Sequence, residues 1–159
     1  MLALPLGQWV LVCLVSGAMA AALMNIPMYV QPQGYQPAYV AAAGLRRCDP
    51  TDVSQALAVA VHQVTGTVAP LLYGAVVLVL SPLPIALSLN GVPTIPHLVG
   101  IAVLTLFIYF FFERVAMPRA GGSLREEATP IVRQWALSTF IYGVTLALLI
   151  PAMVRILVL

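Results

Sequence analysis

Residues 56–80 read Ala56-Leu-Ala-Val-Ala-Val-His-Gln-Val-Thr-Gly-Thr-Val-Ala-Pro-Leu-Leu-Tyr-Gly-Ala-Val-Val-Leu-Val-Leu80. No Asp, Glu, Lys or Arg interrupts this run, and at 1.5 Å per residue a helix of such length crosses the ~30 Å hydrocarbon core of a bilayer. A start signal precedes it in Cys48-Asp49-Pro50-Thr51-Asp52. Asp49 is suited to cap free backbone N–H groups, Pro50 to the first helical position, and Asp52 to the positive end of the helix dipole. The rest of the chain agrees in composition: 62% of the 159 residues are hydrophobic and 8% charged, where a soluble domain has roughly 25% charged residues. A water-soluble fold of this size is excluded, and the solvent is the bilayer.

Working toward the N-terminus, residues 2–24 carry no charged side chain and are long enough to span. Ala18-Met19-Ala20 looks like a signal-peptidase site, but no Lys or Arg precedes the run and the run is long, so it reads as a retained helix. Pro27, Pro32, Gly34 and Pro37 interrupt the next segment, and Tyr29, Tyr35 and Tyr39 are aromatics of the headgroup level. Within this loop, Pro37 to Leu45 fits either a short interfacial helix stopped by Gly44 or an ordered loop.

Toward the C-terminus, residues 81–97 hold Pro82, Pro84, Asn90-Gly91, Pro93 and Pro96 without a charged residue, an apolar connection expected to pack under a neighbour. A third span over 97–117 is rich in aromatics and ends in Glu113, Arg114, Pro118 and Arg119. Gly121-Gly122 gives a turn, Ser123 and Glu126 have capping-box spacing, and a helix starting there is expected to bend or restart at Pro130. The fold class that follows is all-α: a polytopic membrane protein forming one domain, a bundle of transmembrane helices at about 2–24, 52–80, 97–117 and 131–155. Loops 25–51 and 118–130 hold four of the seven arginines, Arg114 and Arg133 flank the second loop on the same side, and only Arg155 lies opposite. The positive-inside rule therefore predicts cytoplasmic loops and external N and C termini, in a multi-pass protein of the cell membrane.

Few residues carry chemistry. His62 lies about 15 Å along the second helix from Asp52, near the bilayer centre, where an ionisable group is a functional candidate by default. The competing reading is a neutral His62 that holds a neighbouring helix by a hydrogen bond. It belongs to a stripe of four-residue spacing, Ala58, His62, Gly66, Pro70 and Gly74, and the fourth helix has Thr139, Gly143 and Ala147 at the same interval. Small residues at this spacing let helices approach closely, so these two stripes are expected to pack together. His97 is placed at the external interface, far from His62. Cys13 and Cys48 fall on different segments, which predicts no disulfide and no zinc site. Arg46, Arg47, Arg114 and Arg119 are candidate contacts for anionic lipid head groups. No phosphate loop, nucleophile elbow, HExxH or paired intramembrane carboxylates occur. No catalytic, cofactor-binding or metal residue is therefore assigned, and a net charge of +2 gives no surface for nucleic acid.

Met24-Asn-Ile-Pro-Met28, Pro37-Ala-Tyr-Val-Ala-Ala42, Asp49-Pro-Thr-Asp-Val-Ser54, Ala60-Val-His62 with Gly66, and Arg133-Gln-Trp-Ala136 together give the chain a likeness. Over about two thirds of its length it resembles small uncharacterised four-helix membrane proteins of halophilic archaea. The resemblance implies the fold and the membrane and transfers no activity. Two functional readings follow from the residues. One is a noncatalytic protein acting through packing, as an accessory subunit of a membrane assembly or a homo-oligomer. The other is an oligomeric transporter or channel with His62 lining the pathway, which needs more polar lining than one subunit offers. A lipid-acting enzyme ranks below both, since no nucleophile or acid–base pair can be assigned.

Overall fold

The computed structural model describes residues 4–83, 87–119 and 128–158, with the side chain of Ala128 left aside. The protein is an all-α polytopic bundle. Four helices are long and apolar enough to cross a membrane: Leu6–Val30, Gln55–Leu80, Thr94–Arg119 and Thr129–Val158. The first is α1, Leu6–Val30; the second is made of α3, Gln55–Val68, and α4, Pro70–Leu80; the third begins as α5, Thr94–Phe111; the fourth lies in α6, Ala128–Val158. Between the first two spans lies α2, Gln36–Arg46. Consecutive spans pack side by side, and α6 closes the ring against α1. The end holding α2 is opposite the end holding a short hairpin between the second and third spans.

The core is an inner stripe on each helix. On α1 it runs through Trp9, Val12, Cys13, Ser16, Gly17, Ala20, Ala21, Met24 and Met28, a three- and four-residue spacing. Apolarity cannot mark this face, because the lipid side is equally apolar; side-chain size does. At Gly17 a Cβ would come within 2.6 Å of the Thr67 carbonyl oxygen and 2.8 Å of that of Gly66, and at Gly66 within 2.6 Å of the Ala21 Cβ. The α1 and α3 backbones therefore meet at a distance only small residues permit.

Several boundaries differ from the sequence reading. Helix α1 continues through Pro27 to Val30, since one proline removes a single ladder bond, and the Gln31 N–H still reaches the Pro27 carbonyl at 3.1 Å. Pro32 is what ends it, by holding Gln31 extended. The segment Pro37 to Leu45 is helical as α2, but Gly44 lies inside it; the stop is Arg47, which takes the left-handed conformation at φ 55°. Asp49 does cap, accepting from the Thr51 N–H at 2.9 Å, yet it caps only a single 3-10 turn, Pro50–Asp52. The Thr51 backbone N–H, with the Thr51 hydroxyl second, holds the Asp49 carboxyl below its ordinary range. Val53 is extended, and Ser54, accepting from the Leu57 N–H, starts α3.

At the other end, β1, Ser88–Leu89, pairs antiparallel with β2, Val92–Pro93, in the register Ser88↔Pro93 and Leu89↔Val92. Asn90 and Gly91 both take positive φ, as a two-residue turn of primed type requires. Val92 is buried beneath α5, which begins at Thr94 and not at His97, with Pro96 inside its first turn. Past Phe111 the third span changes to a π turn, Phe112–Ala116, and a 3-10 turn, Met117–Arg119. Helix α6 shows no restart at Pro130, which sits in its first turn where the missing N–H costs nothing, and it runs on through Pro151. Gly121-Gly122, the Ser123–Glu126 spacing and the charges Arg125, Glu126 and Glu127 lie outside the described residues.

Candidate functional site

A proline in a membrane helix leaves the carbonyl four residues before it without its N–H, and in hydrocarbon some other donor must meet that oxygen. Pro151 frees the carbonyl of Ala147. His97 answers it, its Nε2 lying 3.1 Å from the Ala147 oxygen while its Nδ1 lies 2.7 Å from the Tyr73 hydroxyl. A carbonyl only accepts, so Nε2 carries the proton and Nδ1 accepts from Tyr73. Pro70 frees the carbonyl of Gly66, and the Tyr142 hydroxyl donates to it at 2.6 Å. Both freed carbonyls are thus met by a side chain of a neighbouring span. Trp9 Nε1 donates to the Gly74 carbonyl at 3.3 Å and Gln63 Nε2 to that of Ala18 at 2.9 Å, so most buried polar groups tie helices together.

The kink at Pro70 also parts the bundle. Above it α4 packs along α5; below it α3 leans on α1 and α2 and is not packed against α5. The gap is a half-open chamber of about 500 Å³, within the ~300–1,000 Å³ range of small-molecule sites. Its base is α6 through Trp135, Thr139 and Tyr142, and its end is closed by Pro37, Ala38 and Ala41 of α2. Phe107 and Phe111 of α5 face Val64 and Val68 of α3 at the mouth. These four are exposed, Val64 at 62% and Phe107 at 54%, so the mouth opens sideways toward lipid.

Inside, polar atoms are few and most are committed. The Tyr142 hydroxyl is held by Gly66, the Thr65 hydroxyl by the carbonyls of Val61 and His62, and Trp135 Nε1 reaches the Ile108 carbonyl at 3.4 Å. Two are not. His62, 6% exposed, has its ring beside the Ala21 backbone and leaves Nε2 without a partner among the described residues. Thr139, 1% exposed, leaves its Oγ1 equally without one. A neutral His62 ring has one donor and one acceptor nitrogen, and the Thr139 hydroxyl both donates and accepts. Tyr35, at the start of α2, sets its ring edge-on to His62 at 6.5 Å between centroids. Its hydroxyl donates to Asn25 Oδ1 at 2.5 Å, and burial, with the Tyr29 hydroxyl second, raises its pKa.

The structure therefore places His62 in a cavity and sorts the packing residues differently from the sequence reading. Ala58 is fully buried. Gly66 meets Ala21, and a Cβ on Gly74 would meet Cys13 and Trp9, so the second span's stripe serves α1. A Cβ on Gly143 would lie 2.6 Å from Thr105 Oγ1, and Ala147 is bonded by His97, so the fourth span's stripe serves α5. The two stripes do not pair, because each flanks a different neighbour in the ring. Thr139 belongs to the chamber as well as to the packing. His97 is buried between spans, three residues into the third. Cys13 and Cys48 are both free. Among the described residues no group of His, Cys, Asp and Glu is placed to hold a metal ion. Arg46, Arg47, Arg114 and Arg119 are exposed at the α2 end, and the one ion pair among the described residues joins Arg114 to Glu113 at 3.6 Å on the surface.

Tyr142, Trp135, Phe107 and Phe111 were missed as site residues. A usable signal existed for Tyr142: Pro70 announces an unmet carbonyl at Gly66, and a membrane-depth tyrosine is a donor in search of one. The chain matches no known protein family, no curated protein and no solved structure.

Proposed function

We propose that this membrane protein is noncatalytic and serves as a small accessory subunit of a membrane assembly, its working part being the side-opening chamber beside His62. The observation that carries this reading is the chamber itself: walls almost wholly apolar, with the exposed Val64, Val68, Phe107 and Phe111 at a mouth on the lipid-facing side. Such a chamber holds a molecule from the membrane; it offers no nucleophile with a base and no paired acids. The arginines at the α2 end support an orientation with that end in the cytoplasm and both termini outside, where Arg46, Arg47, Arg114 and Arg119 meet anionic head groups of the cell membrane.

A second reading, an oligomeric transporter with His62 on the pathway, draws on the free Nε2 atom. Against it stands the apolar lining, since a solute path through hydrocarbon needs a succession of polar groups. Extraction in mild detergent followed by mass determination of the intact complex tests the two. A defined complex with another membrane protein is the expected result. A lone monomer with no partner would overturn the accessory role, and solute flux in vesicles that disappears in His62→Ala would transfer the function to transport.

A further inference from the structure

We infer that the chamber houses one hydrocarbon chain of an anionic phospholipid from the leaflet at the α2 end, with the lipid phosphate among Arg46, Arg114 and Arg133. The inference rests on the reading of the chamber as a binding site and adds the class of its occupant. Trp135 and Tyr142, at the base of the chamber, lie seven residues apart on α6, ~10 Å at 1.5 Å per residue. One leaflet of a ~30 Å hydrocarbon core is about 15 Å deep. The mouth, edged by Val64, Val68, Phe107 and Phe111, faces the lipid. A gap of this depth that opens on the bilayer lies beside lipid chains, and leaving it empty forfeits dispersion contacts that a chain restores. Water is a poor substitute, since the wall is almost wholly apolar.

A tail does not choose between lipids, because every tail is as apolar as the wall; the head group does. At the α2 end, Val40 of α2, Phe112 of the π turn and Ile131 at the start of α6 share one buried cluster. Each of these segments carries an exposed arginine within six residues: Arg46, Arg114 and Arg133. Phe112 itself lines the chamber, and Arg133 precedes the lining Trp135 by two residues, so the arginines belong to the segments that bound the chamber's interfacial end. The acids described there are mostly engaged. Asp49 is held by the Thr51 N–H and hydroxyl, and Glu113 pairs with Arg114 at 3.6 Å, which leaves Asp52 exposed on its 3-10 turn. Arg46 and Arg133 have no carboxylate partner among the described residues. A phosphate whose tail lies in the chamber supplies the complementary charge, whereas a zwitterionic head group brings a cation of its own and gains less.

The test uses the full chain in phosphatidylcholine nanodiscs doped with a trace photoprobe, either phosphatidylglycerol or phosphatidylcholine, each carrying a diazirine midway along the same acyl chain. Cross-links are mapped by mass spectrometry. The phosphatidylglycerol probe is expected to label Val64, Phe107 and Tyr142 roughly tenfold more than the phosphatidylcholine probe. Joint replacement Arg114→Gln and Arg133→Gln, both at exposed positions, is expected to bring the two probes within about twofold of each other. Val68→Trp narrows the mouth and Ala41→Phe fills the closed end, and either is expected to reduce chamber labelling by both probes several-fold. Val79→Trp, on the exposed face of α4 beyond the Pro70 break, is expected to leave it unchanged. Val68 is exposed, so Val68→Trp carries the test by itself if Ala41→Phe does not fold. Equal chamber labelling by the two probes would overturn the anionic class while leaving the chamber as a site for lipid chains. A phosphatidylglycerol preference that survives loss of both arginines would overturn the head-group assignment. Labelling by neither probe inside the chamber would overturn the binding reading as well.

Discussion

The two buried histidines experience opposite surroundings. His97, between α4, α5 and α6, uses both ring nitrogens, one on the Tyr73 hydroxyl and one on the Ala147 carbonyl. His62, between α1 and the chamber, lies beside the Ala21 backbone and leaves Nε2 unpartnered among the described residues. His97 lies where the helices are in register and packed; His62 lies below the Pro70 kink, where α3 and α5 have parted. An ionisable residue at membrane depth is therefore not functional by depth alone. What distinguishes the two is whether every polar atom has been used for holding helices together.

That difference can be broken most strongly at His97. His97→Ala strands the Tyr73 hydroxyl and the carbonyl freed by Pro151, and removes a fully buried ring. A loss of about 3–4 kcal/mol is expected in reversible unfolding from detergent micelles. His62→Ala should lose no more than about half of that, its ring bordering an existing cavity. Equal losses at both positions would make His62 as structural as His97.

The close crossing that forms one wall of this comparison is tested at Gly17. Gly17→Ala drives a Cβ onto the Thr67 and Gly66 carbonyl oxygens and Pro70, so α1 and α3 must separate. A loss of about 2–3 kcal/mol is expected, while Gly44→Ala, with open space around its Cβ and a helical position, should gain up to about 1 kcal/mol. If Gly17→Ala were as harmless as Gly44→Ala, the α1–α3 approach would be looser than described.

Smaller effects sharpen the comparison at the Pro70 break. Tyr142→Phe removes the donor to Gly66 and should cost about 1 kcal/mol, the upper part of the range for hydrogen bonds between membrane helices. It should also move Trp135 fluorescence, because both side chains line the chamber. The least perturbing test uses the native cysteines. A membrane-impermeant maleimide added to intact cells should label neither, whereas in detergent Cys48 should react and the buried Cys13 should stay unmodified. Labelling of Cys48 from outside would reverse the proposed orientation.

Much of the fold was legible because membrane spans are written in composition. The absence of charge from Val53 to Phe112 and the breakers between runs give the helices, and Asn90-Gly91 gives the turn of the hairpin. Helix ends were less legible. Pro27 and Gly44 look like stops and are not, because a helix tolerates one lost bond when its neighbours support it, and Ser54 outdoes Asp49 as the start of α3 because Val53 is extended. The candidate site was half legible. His62 stands out on rarity, but Thr139 reads as a packing residue, and Phe107 and Phe111 read as lipid-facing aromatics; only their convergence on one chamber gives them a shared role.

By itself the sequence determined that this protein lives in the bilayer, crosses it with four helices and carries almost no polar groups at depth, because hydrocarbon admits little else. Tertiary structure alone decided which face of each helix is inside, since lipid and protein interior are equally apolar and only the fit of small against large side chains separates them. It also decided which of two similar histidines was left with a free nitrogen, because that depends on where the Pro70 kink sends α3, and a kink's direction is set by the helices around it.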